Sequence, residues 1–179
     1  MSVHVAFLRG MNVGGHRITN ADLTTSFADL GFESVTTYRA SGNVIFESPG
    51  RVEGELVAEI EEGLEESLGY AVPTFVRSAG EVRSIADFDP FDLELVASSK
   101  GKLQVSLLGR EPTKKERDAV LAAGTDDDRL LITERELYWL PCGGTMESDL
   151  GMDAFEDVLG PSTMRTKGTI EGIASKLPQ

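Results

Sequence analysis

Residues 34–48 read SVTTYRASGNVIFES, and this stretch decides the fold. Two short runs, SVTTYRA and NVIFES, are rich in β-branched and aromatic residues, which favour a pleated strand. Ser41-Gly42 between them is a tight-turn signal, so the runs predict a β-hairpin. Upstream, SVHVAFLRG has the same character and ends at Gly10, which predicts a first strand. A helix follows from Thr19 or Asn20. Thr19 with Asp22 three residues on fits a capping box, Leu23, Phe27 and Leu30 share one face, and Gly31 ends the helix as a left-handed residue. Downstream, Ser48-Pro49-Gly50 ends the hairpin. Residues 51–68 carry Leu56, Ile60, Leu64 and Leu68 at helical spacing, and AVPTFVR predicts a fourth strand after Gly69. The order β-α-β-β-α-β is the split-βαβ pattern of a ferredoxin-like unit.

The rest of the chain echoes this order. Residues 80–88 predict a short helix broken at Asp89-Pro90, and PFDLELVASSKG matches neither period cleanly. KLQVSLL predicts a strand, and Thr113 with Glu116 opens a helix that stops at Gly124. RLLIT and ELYWL predict two more strands, residues 149–159 a helix, and residues 169–176 a last helix. The expectation is an α+β protein of two ferredoxin-like subdomains packed together. Residues 1–78 form the first, with the glycine-arginine loop; residues 79–179 form the second, with the C-terminal helix.

Composition narrows the function classes. The formal net charge is −13, a field that repels nucleic acid and anionic membranes. Hydrophobic residues make up 40% of the 179, enough for a core, with no apolar run long enough to span a bilayer. The N-terminus lacks the pattern of a signal peptide. The single cysteine, Cys142, makes no internal disulfide, so a cytoplasmic setting is expected. No His or Cys pair has metal-ligand spacing, and no cofactor is expected. The acidic helix around Glu59 reads as a solvated face.

The chemistry is expected at the loop RGMNVGGHR, residues 9–17, which joins a strand to a helix. Gly14 and Gly15 allow close backbone approach, the helix N-terminus favours negative charge, and Arg9 and Arg17 add planar cationic donors. The spacing is neither a Walker A loop nor a dinucleotide fingerprint. The split-βαβ topology places the ends of the first two strands at one sheet edge. Arg9 and Arg39 therefore meet there, with Ser41, Gly42 and Asn43 beside them. His16 is a candidate acid or base. Thr163, Arg165, Thr166, Lys167 and Thr169 form a second basic cluster, read as a loop with a cap for the last helix.

The residues of these motifs carry a resemblance. Arg9-Gly10-Met11-Asn12-Val13-Gly14-Gly15 resembles the N-terminal RGxNVGG motif of the DUF1697 family of bacterial proteins of unknown function. Residues 37–46, TYRASGNVIF, resemble that family's TYxxSGNVxF motif, and Leu23 and Gly31-Phe32 match its intervening helix. Thr163-x-Arg165 and Thr169 are similar to its C-terminal TxRNWNT signature, although Thr166, Lys167 and Gly168 replace the asparagines and tryptophan. The resemblance implies two ferredoxin-like subdomains and no established activity.

Three functions compete. The first is binding, or hydrolysis or transfer, of a small molecule bearing phosphate or carboxylate. Arg9, Asn12, Gly14, Gly15, Arg17 and Arg39 would hold the anion, Ser41 and Asn43 orient it, and Arg165 close over it from the second half. The second is a protein-interaction or regulatory module whose motifs serve the fold. The third is a single-stranded nucleic-acid binder, which the net charge and the lack of an aromatic-rich third strand oppose.

Overall fold

A computed structural model describes residues 1–12, 14–15, 17–39, 42–148, 150 and 152–178. The chain divides into two compact units, residues 1–85 with 172–179, and residues 86–171.

In the first unit, β1 (Ser2–Leu8), α1 (Asn20–Asp29), β2 (Glu33–Thr37), β3 (Asn43–Ser48), α2 (Glu53–Leu68) and β4 (Thr74–Ser78) follow in the predicted order. The sheet order is β2-β3-β1-β4 and every pairing is antiparallel. β1 and β2 therefore run in the same direction on either side of β3, as a split-βαβ unit requires. Local chemistry sets the helix ends. Thr19 Oγ1 accepts from the Asp22 N–H at 3.1 Å, while Asp22 takes the Thr19 N–H at 2.9 Å. The capping carboxylate lies below its usual range because the Thr19 hydroxyl and N–H both donate to it.

Leu23 and Phe27 of α1 and Leu56, Ile60 and Leu64 of α2 bury against Ala6, Leu8, Val44, Phe46 and Val76 of the sheet. Phe27, Phe32 and Phe46 cluster with ring centroids 4.7–5.8 Å apart. The alternate residues Val5, Phe7, Asn43, Ile45, Phe75 and Arg77 are buried too, so both faces of this sheet are covered. That is why β1 reads as a continuous apolar run rather than an alternating one. Next come α3 (Ala79–Asp87) and α4 (Leu93–Ser98). α4 falls in the tract that matched neither period; Asp92 caps it, accepting from the N–H groups of Glu94 and Leu95 at 2.9 and 3.2 Å.

In the second unit, β5 (Gln104–Leu108), α5 (Lys114–Leu121), β6 (Asp128–Ile132), β7 (Glu136–Pro141), α6 (Met152–Leu159) and β8 (Ser162–Thr166) repeat the pattern, with sheet order β6-β7-β5-β8, again antiparallel. α7 (Lys167–Ala174) closes the chain. β8 corrects the sequence-based expectation, which read these residues as a loop. STMRT has one large apolar residue, and its Ser162 and Thr163 are buried by pairing with β5, a long-range effect no local pattern announces. Leu108, Val120, Leu137, Phe155 and Leu159 form the core on the helix side. Trp139 is fully buried, with its indole N–H donating to Asp128 Oδ1 at 2.8 Å. No helix among the described residues is long and apolar enough to cross a membrane.

Candidate functional site

The register of the first sheet defines one rim. Leu8 lies opposite Thr74, Phe7 opposite Asn43, and Thr37 opposite Val44. The ends of β1 and β2 and the starts of β3 and β4 are therefore neighbours, and the links that join them share this rim. Backbone bonds tie the links together. The Leu8 N–H donates to Gly42 O at 2.7 Å, and the Arg9 N–H to Pro73 O at 3.0 Å. Tyr70 Oη donates to Met11 O at 3.0 Å, while the Met11 side chain is buried in the core and anchors the loop. Gly42 has φ 71°, and a Cβ there would lie 3.1 Å from Leu8 Cβ and 3.2 Å from Met11 Cε. Only glycine suits both that backbone and that gap.

The rim divides the predicted site residues. Asn12 Oδ1 accepts the Ile18 N–H at 3.3 Å and so spans its own loop. Asn43 is buried; its Nδ2 donates to Tyr38 O at 3.1 Å while the Tyr38 N–H donates to Asn43 O at 2.9 Å, which closes the neck of the hairpin. Arg9 is half-buried. Gly14 and Gly15 are exposed with φ 70° and 88°, and Arg17 is exposed beyond them. Arg39 is exposed, stands at φ 56°, and holds its guanidinium 5.4 Å from the Tyr38 ring centroid. Ser41 and His16 lie outside the described residues.

The charges at this rim contrast with the same connection in the second unit. There residues 109–113 link β5 to α5, and Arg110 is bidentate on Glu116 at 2.8 and 2.9 Å, with Arg117 on Glu111 at 2.7 Å. Arg110 holds Glu116 down to about 2, with the Thr113 N–H helping. In the first unit, neither Arg17 nor Arg39 has a carboxylate partner among the described residues. The nearby Glu61 carboxylate is engaged with the Thr74 N–H at 2.8 Å.

Arg165 belongs to the second unit. It sits on β8 opposite Val105, with Nη1 donating to Thr163 Oγ1 at 2.8 Å and to Met164 O at 2.9 Å. Burial lowers its guanidinium to about 10, which leaves it charged at neutral pH. Sequence reasoning missed its counterpart. Arg77 is buried on β4 opposite Val5 and donates to Val76 O at 2.9 Å. Each arginine is the fourth residue of its strand, and each precedes a hydroxyl that caps the next helix. Ser78 Oγ accepts from the Glu81 N–H at 3.3 Å, and Thr166 Oγ1 from the Thr169 N–H at 3.2 Å. The shared Arg-Ser and Arg-Thr endings of TFVRS and STMRT were the available signal.

Among the described residues, open grooves also lie away from the rim. One of about 670 Å³ runs between α1 and α2 past Asp22, Ser26, Asp29 and Glu66. Another, about 400 Å³, lies in the second unit beside Ser99, Arg129 and the exposed Cys142. Neither includes a predicted site residue.

Fold and rim together define an α+β protein of two ferredoxin-like units, the first carrying a glycine-arginine rim. The chain belongs to the DUF1697 family, described as a protein family of unknown function, whose match covers residues 1–138. That span includes both rim motifs and ends before β8. Among solved structures the chain is similar to the conserved bacterial protein SP0830 from Streptococcus pneumoniae. The likeness has a TM-score of 0.73 at 16% identity and covers 98% of this chain and 97% of that one, which carries the fold alone. No curated protein matches the sequence.

Proposed function

We propose that the rim of the first unit binds a small molecule through a phosphate or carboxylate group. One observation carries this reading. Two exposed arginines, Arg17 and Arg39, flank the glycine loop and the hairpin without a carboxylate partner among the described residues, in a chain with 30 Asp and Glu against 17 Lys and Arg. Where carboxylates outnumber cations, an arginine finds an internal partner easily, as Arg110 does. A guanidinium kept apart from them suits an anion supplied from outside. The exposed Gly14 and Gly15 leave room for that anion to approach the backbone. Should hydrolysis or transfer of an acyl or phosphoryl group follow binding, the same donors supply the charge stabilisation it needs.

A second reading has its own support. Asn12 and Asn43, central to the two motifs, direct their side chains to backbone groups. That suits motifs that serve the fold of a protein-interaction module with no small ligand. Thermal unfolding separates the two readings. Inorganic phosphate, nucleotides and sugar phosphates are compared with sodium chloride at matched ionic strength, because salt alone relieves the self-repulsion of an acidic chain. A true ligand at 100 times its Kd adds about 2.7 kcal/mol to the wild type. Arg17→Ala and Arg39→Ala are expected to remove that gain. A gain that survives both changes, or no gain with any anion, leaves the second reading standing.

A further inference from the structure

The hairpin that carries Arg39 meets the C-terminal helix at Gly172, which the Tyr38 ring approaches closely. Gly172, on α7, belongs to the same compact unit as the hairpin. A Cβ built on Gly172 would lie 2.7 Å from Tyr38 Cζ and 3.3 Å from Cε1, and closer still to the hydroxyl. The Tyr38 ring therefore fills the place of a side chain that α7 lacks at this position. From there the ring reaches the rim. Its backbone is doubly bonded to Asn43 at the hairpin neck, and the Arg39 guanidinium lies 5.4 Å from its centroid. Ile173, next to Gly172, is fully buried, and Arg83 of α3 donates to Pro178 O, so this segment has anchors of its own.

We infer that Gly172 is a positioning residue: through Tyr38, the C-terminal helix fixes the hairpin in the conformation that presents Arg39. The functional sense of this brace rests on the anion reading above. The brace itself is a property of the unliganded protein. A rigid presentation raises affinity by removing the cost of ordering the side chain on binding. The glycine is otherwise a poor choice inside a helix, where alanine is the better former. Gly168, one turn earlier in α7, supplies the control, because a Cβ there meets nothing within 4 Å.

The test compares Gly172→Ala with Gly168→Ala in the full chain by NMR. In Gly172→Ala the Tyr38 ring is displaced, the ring-current shifts of the Arg39 side chain change, and the Tyr38 amide exchanges faster by about tenfold or more. Gly168→Ala leaves both signals in place. If Gly172→Ala does not fold, Tyr38→Leu removes the same contact from the other side and is expected to raise the same exchange rate. Unchanged Arg39 shifts and unchanged Tyr38 exchange in a folded Gly172→Ala, or an equal response in Gly168→Ala, overturn the brace. Titration with inorganic phosphate tests the site separately. An affinity about three- to tenfold weaker in Gly172→Ala than in wild type supports the brace acting on the site. Unchanged phosphate affinity in that variant overturns its effect on binding. A wild type that binds no phosphate, alongside altered Arg39 signals in the variant, upholds the brace and removes the anion reading alone.

Discussion

Among the described residues, Arg39 is one of two non-glycine residues with a left-handed backbone; the other is Ser34, at φ 51° in the irregular part of β2. A side chain in that region clashes with its own carbonyl, which costs about 1–2 kcal/mol. Glycine escapes the clash but loses more freedom on folding, about 0.5–1 kcal/mol. Both Ser34→Gly and Arg39→Gly are therefore expected to raise stability, by up to about 1 kcal/mol in urea unfolding. They part company on function. On the anion reading, Ser34→Gly is expected to leave phosphate binding as it is, whereas Arg39→Gly is expected to abolish it while making the protein more stable. That trade would be the signature of strain kept for a ligand. Equal phosphate affinity in Arg39→Gly and wild type would show that the strain at residue 39 serves the hairpin alone.

Elements whose chemistry is local were legible in the sequence, and those held from a distance were not. The Thr19–Asp22 and Thr113–Glu116 capping boxes, the four-residue spacing of Leu56, Ile60 and Leu64, and the pairing of β2 with β3 all act within a few residues, and each stands where the pattern put it. β8 depends on β5, almost sixty residues earlier in the chain, and its composition is that of a loop. Arg77 was hidden for the same reason, since burial of a strand's polar residue is decided by what covers the sheet. At the site, the two motifs were visible but their division of labour was not. Whether an asparagine faces a ligand or its own backbone depends on bonds such as Asn43 to Tyr38, which composition does not encode. Elsewhere a capping box does more than start a helix. At α5 it aligns Glu116 for Arg110, and the carboxyl falls from 4.5 to about 2, with Arg110 the largest cause. A carboxyl lowered in the folded state stabilises above its unfolded pKa and loses that contribution as pH falls. In the wild type the loss runs from about pH 4.5 down to about 2. Arg110→Gln is expected to move the Glu116 titration, followed by carboxyl-carbon NMR, upward toward 4.5, with the Thr113 N–H and hydroxyl still holding it below. An unmoved titration would assign the shift to the capping box alone.

At the scale of the molecule, the first unit is discontinuous: it begins at Met1 and takes back residues 172–179 after the whole of the second unit has been traversed. This has an energetic consequence that a division of the chain near residue 78 does not carry. The last turns of the chain bring Ile173 and Leu177, both buried, to a unit whose sheet is covered on both faces. Truncating a fully buried isoleucine removes its transfer free energy and leaves a cavity, together about 2–5 kcal/mol. Ile173→Ala is expected to draw that stability from the first unit, although it sits only six residues from the C-terminus. Native-state hydrogen exchange locates the effect, because amides report the opening of the cooperative region that contains them. The amides of β1, β3 and β4 should lose protection while those of β5 and β7 keep theirs. Equal loss in both sheets would make the chain one cooperative body. Selective loss in the second sheet would place the C-terminal residues energetically with the unit that precedes them in sequence. Because Gly172 adjoins Ile173, selective loss in the first sheet would also explain why a helix at the end of the chain can govern a hairpin near its beginning.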